Sequence, residues 1–443
     1  MKSNPKHDAR EHRRPAARPA PTPPRTKRAL TAAMLAATAL ATLALLLALA
    51  GSARAQSPVR AWGMGGAGGA AALGLEAVGY NPANLAFSHG TTIGLAGAAV
   101  SVQNNTLSLD RYNEITGTHL GTAEKDALLA DIPESGFNLD ADVQASALGV
   151  QSGPFALTAS AVGTGQGNLD KDYFDLVLYG NRVGETVDFS NTWGEGNALG
   201  AATASFGTRL LSLGGASLAA GVNLRYLYGL YEIHVTSASG TLTTGMTEIA
   251  ADAHVQTLSA EGGQGYGVDV GLALQTPGGL MVGLSLANAQ SHIEWDRNVE
   301  VREFRVTAAD INLLNSNLDN STDDSDTTYA GAPYTTELPR TARLGAAAKV
   351  GAFVVAADWV QGFTDRGLDS TDPRFHAGLE WQLGFVQPRV GAATGGVEGD
   401  AASAGLGLYV GPWHLDAAAV SHGGFRVGDT KGLDVAFASS LQF

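Results

Sequence analysis

Apolar and polar residues alternate with a period of two along most of the chain after residue 90. In the last segment, Leu433, Val435, Phe437, Leu441 and Phe443 share one face, and small or polar residues share the other. The same alternation recurs in the segments 222–230, 266–274, 280–286, 342–350 and 377–381. A period of two is that of a β-strand whose two faces meet different surroundings. The chain is therefore predicted to be an all-β protein.

A transmembrane antiparallel β-barrel explains this alternation better than a soluble sandwich, which would alternate as well. The polar face is rich in Gly, Ala and Ser, which suits a crowded lumen. Aromatic residues near the ends of the apolar faces resemble the girdles of outer-membrane barrels; they are Trp359, Trp381, Trp413, Tyr409 and Tyr266. Short Gly- and Pro-containing turns lie at 151–154, 212–215, 276–279 and 410–412, and long polar stretches lie at 103–141, 308–338 and 362–372. Short turns at one end and long loops at the other are the outer-membrane pattern.

The alternation also gives a strand count. At about nine to eleven residues per strand, residues 91–443 accommodate about 14 strands, with 12 to 16 as the expected range. Sixteen segments can be delimited, of which one or two are expected to be false: 91–102, 142–151, 154–163, 197–210, 215–228, 229–238, 252–260, 264–275, 279–290, 339–350, 352–361, 373–383, 386–394, 401–410, 412–421 and 431–443.

The N-terminus has the composition of a targeting segment. A basic, Pro-rich stretch (1–28) leads into a continuous apolar run (29–50), and Ala53-Arg54-Ala55 offers small residues for signal-peptidase cleavage before Gln56. An uncleaved membrane-spanning helix is the alternative for the apolar run. We predict a signal peptide at 1–55, cleaved near Ala55-Gln56, and export of the mature chain to the cell outer membrane.

Charge and cysteine content exclude several classes of function. Residues 1–55 hold ten of the 28 Lys and Arg and two of the 42 Asp and Glu, so the mature part carries 18 basic and 40 acidic residues, a net charge of −22. Such a body repels nucleic acid, whose binding needs clustered Lys and Arg. The absence of Cys from the sequence rules out disulfides, Cys-based metal sites, a Cys nucleophile and a lipidated N-terminal Cys.

A Gly- and Ala-rich opening precedes the first predicted strand. Residues 61–88 read AWGMGGAGGAAALGLEAVGYNPANLAFS. The part 63–68 fits the dinucleotide fingerprint G-x-G-x-x-G, but neither a strand before it nor a helix after it is predicted, so no cofactor is expected. Over roughly residues 60–100 the stretch resembles the mature N-terminus of the long-chain fatty-acid transporter (FadL-like) superfamily. That superfamily includes conjugal-transfer TraF-type barrels and secretion-associated barrels.

This resemblance implies that residues 56–90 form a hatch or plug inside a barrel made by residues 91–443. Met64, Asn81 and Pro82 are then candidate hatch or ligand residues. Gly and Ala allow close backbone packing in a filled lumen. The alternative is that Asn81-Pro82 only fixes the turn into the first strand.

Residues 169–181 (LDKDYFDLVLYGN) have helical spacing and a Gly-Asn end, which predicts a short loop helix. Tyr173, Leu176 and Val177 would form an entry site for a hydrophobic small molecule. The alternative is a helix that packs on the barrel rim or lies at the membrane surface.

An acidic run containing Asp319, Asp323, Asp324 and Asp326 could bind Ca²⁺, which takes several oxygen ligands. It lacks the Gly and the terminal Glu of an EF-hand, so a solvated surface loop is the alternative and no metal site is predicted.

Charges on the polar faces are expected to point into the lumen, where they either grip a ligand or pair with one another and hold the barrel rigid. These are Arg225, Asp269, Arg343, Lys349, Asp358, His376, Glu380, Arg389, His414 and Asp416. The histidines on predicted strands stand in no catalytic motif, so we predict no catalytic residues and no enzyme.

Three functions remain open at this point. The first is passive uptake or binding of a hydrophobic or amphipathic small molecule. The second is a structural or assembly barrel that scaffolds secretion, conjugation or surface proteins, with 291–338 as a candidate long, ordered surface loop. The third is a general porin, which a Gly- and Ala-rich plug disfavours. In each case the partners are outer-membrane lipid and the barrel assembly machinery, whose recognition signal the terminal Phe443 resembles.

Overall fold

The computed structural model describes residues 59–312, 322–365 and 370–443. The predicted signal peptide, the cleavage site at Ala55-Gln56 and Asp319 lie outside the described residues.

Fourteen of the strands in the described residues close into one antiparallel ring, because each pairs with the next and the last pairs with the first. Numbered in chain order, they are β1 Thr91–Asn104, β2 Phe137–Ser152, β3 Phe155–Leu169, β5 Trp193–Leu213, β6 Ala216–Thr244, β7 Glu248–Gln275, β8 Met281–Trp295, β12 Thr341–Val350, β13 Phe353–Gly362, β14 Arg374–Trp381, β15 Val386–Gly395, β16 Ala401–Val410, β17 Trp413–His422 and β18 Gly432–Gln442. The register between β1 and β18 runs from Thr92 opposite Gln442 to Gln103 opposite Gly432. The predicted barrel of about 14 strands is confirmed.

The four other described strands lie outside the ring. β4 (Thr186–Asp188) pairs with β6, β11 (Tyr334–Thr336) pairs with β8, and β9 (Arg297–Asn312) pairs with both β7 and β10 (Thr322–Ala330). β6 and β7 are 29 and 28 residues long, far more than the roughly 9–11 residues that a membrane crossing needs. Their outer parts therefore continue beyond the ring and form, with β9 and β10, what we call the extension sheet.

Two of the sixteen predicted strand segments are wrong as separate strands. The segment 229–238 belongs to β6 and the segment 252–260 belongs to β7. Leu230 forms a bulge against β5, where the register moves from Ala198–Tyr231 to Leu199–Gly229. In β7, Gly262 has a φ of +68°. Bulges and glycines interrupt the alternation without ending the strand, which explains the false breaks.

The two ends of the barrel differ. Tight turns join β2 to β3, β5 to β6, β7 to β8, β12 to β13, β14 to β15 and β16 to β17 at one end, which we call the turn end. The start of β1 and the terminal Phe443 lie there together, since Thr91 N donates to Phe443 O. The long connections lie at the opposite, loop end, as the sequence predicts.

The helices are short. They are Val59–Gly63, Ala77–Tyr80, Leu109–Ile115, Thr122–Asp131 and Lys171–Tyr179, with 3-10 turns at Gly74–Glu76, Pro82–Phe87 and Val427–Asp429. The helix Lys171–Tyr179 confirms the predicted loop helix; Asp170 caps its start, and Gly180, with a φ of +73°, follows its end. Across the described residues, no helix is both long and apolar enough to cross a membrane.

Side chains alternate between the outside of the ring and its lumen. Leu157 is 65 % exposed, whereas its neighbours Ala156 and Thr158 are buried. The prediction that Tyr409 belongs to an aromatic girdle on the outer face is wrong. Its hydroxyl accepts a hydrogen bond from Arg389 and donates one to Asp416 inside the lumen. Tyr409 has the same strand parity as the buried Ser403, and a period of two places both on the inner face.

Candidate functional site

The N-terminal segment (residues 59–88) lies inside the ring of strands. Its first helix, Val59–Gly63, contacts β15, β16, β17 and β18, and its 3-10 turn Pro82–Phe87 contacts β5, β6, β7 and β8. Val59, Met64, Leu85 and Asn84 are almost fully buried. The segment therefore bridges opposite sides of the inner wall.

Glycines of the wall make this close approach possible. A Cβ atom added to Gly391 would lie 2.1 Å from Gly65 N, and one added to Gly378 would lie 2.3 Å from Met64 O. On the opposite side, a Cβ at Gly221 would lie 2.3 Å from the carbonyl carbon of Pro82. Any side chain at these positions would push the segment away from the wall.

Asn81, one of the predicted residues, links the segment to the wall. Its Oδ1 accepts from Ala83 N at 3.0 Å, and its Nδ2 donates to Leu272 O of β7 at 2.9 Å. Pro82 begins the 3-10 turn that follows. The structure thus places Asn81 and Pro82 against β6 and β7, and Met64 against β14 and β15 on the opposite side. Asn81 and Pro82 also form the turn that the alternative interpretation requires.

A buried ion-pair network holds the first helix. Arg60 Nε lies 2.7 Å from Glu380 Oε2, and Arg389 Nε lies 2.8 Å from the same oxygen. Arg389 Nη1 lies 2.6 Å from Asp416 Oδ1. Arg60 also donates to Ala71 O within the segment. The network ties the helix Val59–Gly63 to β14, β15 and β17.

Glu76 stands beside this network, with its carboxylate 3.7 Å from Arg60 Nη1. Burial raises the pKa of Glu76 to about 7, although the charge of Arg60 opposes that shift. The segment therefore contains a carboxyl group that titrates near neutral pH.

A second network holds the glycine-rich turn. Asp358 Oδ2 accepts hydrogen bonds from Gly68 N at 2.9 Å, Gly69 N at 2.7 Å and Arg343 Nη1 at 2.7 Å. On the other side of the lumen, Arg225 pairs with Asp269 at 2.7 Å. The expectation that lumen charges pair with each other is met at these positions, whereas Lys349 is exposed.

The described residues enclose three cavities along the lumen. The inner cavity, of about 180 Å³, is lined by Trp62, Gly66 and His376 on the loop side of the segment. The turn-end cavity, of about 390 Å³, is lined by Val59 and Arg60. The helix Val59–Gly63 therefore separates these two cavities. A third, the mouth cavity of about 330 Å³, opens among the loop-end segments.

One part of the wall carries polar side chains without hydrogen-bond partners in the described structure. We call this set on β2, β3 and β5 the polar strip: it comprises Gln144, Thr158, Ser160, Asn197, Thr203 and Ser205. Buried hydroxyl and amide oxygens usually have partners. Two of these residues reach the cavities, since Gln144 lines the inner cavity and Asn197 lines the mouth cavity.

The loop helix Lys171–Tyr179 sits on the rim. Leu178 O accepts from Lys125 Nζ at 2.6 Å, and the Phe174 ring lies 5.5 Å from that of Phe137. The predicted entry residues Tyr173 and Leu176 are half-buried, and Val177 is 47 % exposed. None of these three lines the cavities described above.

The described part of the acidic run falls on β10. Asp326 forms a bidentate pair with Arg302 at 2.9 and 2.6 Å, and Asp323 and Asp324 lie on the same strand. Within the part of the chain that the structure describes, no group of three metal-binding side chains is found.

Known proteins share this family and this fold. Residues 82–415 match the family described as "Family of unknown function (DUF5723)". The chain belongs to this family. The curated proteins contain no match.

Solved structures with the same fold include the Ralstonia pickettii toluene transporter TbuX, with 14 % identity and a TM-score of 0.50 over 88 % of this chain and 99 % of that one. The Pseudomonas putida toluene transporter TodX has 12 % identity and a TM-score of 0.51 over 88 % and 99 %. A Pseudomonas aeruginosa FadL homologue has 12 % identity and a TM-score of 0.50 over 89 % and 100 %. The resemblance to FadL-like barrels is thereby confirmed at the level of fold.

Sequence reasoning missed two important residues, Arg60 and Glu76. Arg60 is the one basic residue of the stretch 56–88, and Glu76 is the one acidic residue. An isolated charge in a Gly- and Ala-rich segment signals a buried pair, because burial without a partner is too costly. The partner Glu380 lies 320 positions away, and sequence spacing cannot reveal it.

Proposed function

We propose that this chain is an outer-membrane barrel for the passive uptake of a hydrophobic or amphipathic small molecule, with residues 59–88 as its plug. The observation that carries the proposal is the helix Val59–Gly63, which separates a cavity on the loop side from one at the turn end. The structural neighbours support it, since they include two toluene transporters.

Uptake would begin in the mouth cavity, whose floor is formed by Leu199, Ile293, Trp295 and Leu338. Passage to the turn end requires the first helix of the plug to move. The Arg60–Glu380 pair then acts as the latch, because it joins that helix to the wall.

The orientation of the barrel in the membrane follows from this function. The apolar outer face contacts lipid, the turn end faces the periplasm, and the loop end faces the outside, as in outer-membrane barrels. Residues 1–55 would be removed on export, and Phe443 would be read by the barrel assembly machinery.

Swelling of liposomes that contain the protein tests the plug. We expect the wild type to exclude sucrose but to admit a hydrophobic fluorescent probe, and the Gly378→Ala/Gly391→Ala variant to admit both, because the added Cβ atoms displace the plug. Gly200→Ala is the matched control, since its Cβ would meet only Tyr228 O at 3.8 Å. Sucrose entry through the wild type would indicate a general porin, and exclusion of both probes by all three proteins would overturn the uptake proposal.

A second candidate is a scaffold for surface or secreted proteins. The observation that favours it is the extension sheet, because β9 and β10 add paired strands beyond the ring. Purification from native outer membranes in mild detergent distinguishes the two. A stoichiometric protein partner that is lost when 297–330 is replaced by a short linker would favour the scaffold.

A further inference from the structure

The mouth cavity combines an apolar floor with an acidic rim. Carboxylates reach it from β2, β5, β6 and the segment after β11: Asp140, Asp142, Glu195, Glu232 and Glu337. Arg340 is the one basic side chain in its described lining, and that residue is paired with Glu337 at 3.5 Å. The cavity therefore presents a negative potential to any molecule that enters it.

Aromatic rings stand beside these carboxylates. The Trp295 ring lies on the cavity floor and stacks on Tyr334 with centroids 6.4 Å apart. The Tyr334 hydroxyl donates a hydrogen bond to Glu232. Phe363 also lines the cavity and is largely exposed. Ring faces and carboxylates both attract organic cations.

The inner cavity adds an independent observation. Gln144 Oε1 and Asp434 Oδ1 are buried there without a hydrogen-bond partner among the described residues. Their side chains belong to residues that are only 8 % and 6 % exposed. Both atoms are acceptors, so the ligand that satisfies them must donate hydrogen bonds. Asp142 lines both cavities and so connects them.

The arginines of the inner cavity and His422 are already matched by carboxylates, and His376 Nδ1 is hydrogen-bonded to Gly65 O. Arg343 pairs with Asp358 at 2.7 Å, Arg374 with Glu398 at 3.2 Å and His422 with Asp434 at 2.8 Å. Among the described residues that line this cavity, a carboxylate ligand would therefore meet no arginine without a carboxylate partner, and it would face the acidic mouth first.

We propose that the molecule taken up is a hydrophobic organic cation, an alkyl- or arylammonium, and that the mouth discriminates against carboxylates. This inference rests on the proposed uptake function and specifies its substrate class. The apolar body would lie on the Trp295 floor, and the ammonium group would meet the rim carboxylates and then the acceptors of the inner cavity.

Three probes of one shape test this: 4-phenylbutylamine, 4-phenylbutanol and 4-phenylbutyrate. Binding to the purified protein in neutral detergent is measured by titration calorimetry at low and high salt. We expect the amine to bind at least about tenfold more tightly than the carboxylate, a difference of about 1.4 kcal/mol, and the gap to shrink at high salt. The alcohol should fall between them.

The Asp140→Asn/Asp142→Asn variant should bind the amine with an affinity close to that for the alcohol. The control Asp323→Asn/Asp324→Asn, which removes two charges on β10, should leave the ranking of the three affinities unchanged. Glu337→Gln, at an exposed rim position, provides a milder test should the double variant not assemble. Equal or tighter binding of the carboxylate would overturn the cation proposal while leaving uptake intact. Binding of none of the probes, together with failure of the liposome test, would overturn both.

Discussion

Two sides of the inner wall differ in whether their polar side chains have hydrogen-bond partners. On β12–β17, Arg343, Asp358, Glu380 and Arg389 are paired with each other and with the N-terminal segment. On β2, β3 and β5, the polar strip of hydroxyl and amide groups has no partners in the described structure. The first side is built to hold a segment in place, and the second leaves hydrogen-bonding capacity free. We therefore expect substitutions on the first side to cost more stability than substitutions on the second.

The largest effect should come from breaking the paired side. Glu380→Ala leaves Arg60 and Arg389 buried without their shared carboxylate. Removing one partner of a buried ion pair costs about 3–5 kcal/mol. Thermal unfolding in detergent should show this loss. Asp326→Ala, which breaks an exposed pair with Arg302, should cost only about 0–1 kcal/mol, and equal losses from the two variants would contradict the contrast.

The next effect concerns pH. The pKa of Glu76 is raised to about 7 in the folded protein, so the folded state binds the proton more tightly than the unfolded chain. The contribution of Glu76 to the stability of the docked plug is fully present below the ordinary pKa of a Glu and is lost as the pH rises through 7. This contribution is on the order of 3 kcal/mol. Protease cleavage within 59–88 should increase from pH 5 to pH 8, and Glu76→Gln should remove that dependence. A pH-independent wild type would show that Arg60 keeps Glu76 ionised throughout.

The smallest effect belongs to the unpartnered side. Thr203 is 2 % exposed and its hydroxyl has no partner in the described structure, so Thr203→Val should change the stability by less than about 1 kcal/mol or raise it. Ser285, whose hydroxyl donates to Tyr80 O at 2.7 Å, is the matched position, and Ser285→Ala should cost about 1 kcal/mol. A large loss from Thr203→Val would mean that the strip is satisfied by tightly held water.

The sequence predicted much of the barrel but less of its site. Alternation located the ring strands, and the false breaks at Leu230 and Gly262 arose because a bulge or glycine imitates a strand end. The aromatic composition predicts a girdle that includes Tyr409, whereas strand parity turns Tyr409 into the lumen. Tyr173, Leu176 and Val177 share a helix as predicted, yet the helix packs on the rim away from the cavities. Their proposed role in ligand entry stays a prediction.

The sequence alone encodes the class of architecture, because strand alternation and short turns are local properties within about ten residues. It also identified the Gly- and Ala-rich stretch as a segment able to pack closely. Which charges meet depends on the tertiary fold, since ring closure brings Arg60 and Glu380 together. Ring closure also decided where cavities remain and which sign of charge lines them, because the carboxylates of the mouth come from strands far apart in the chain.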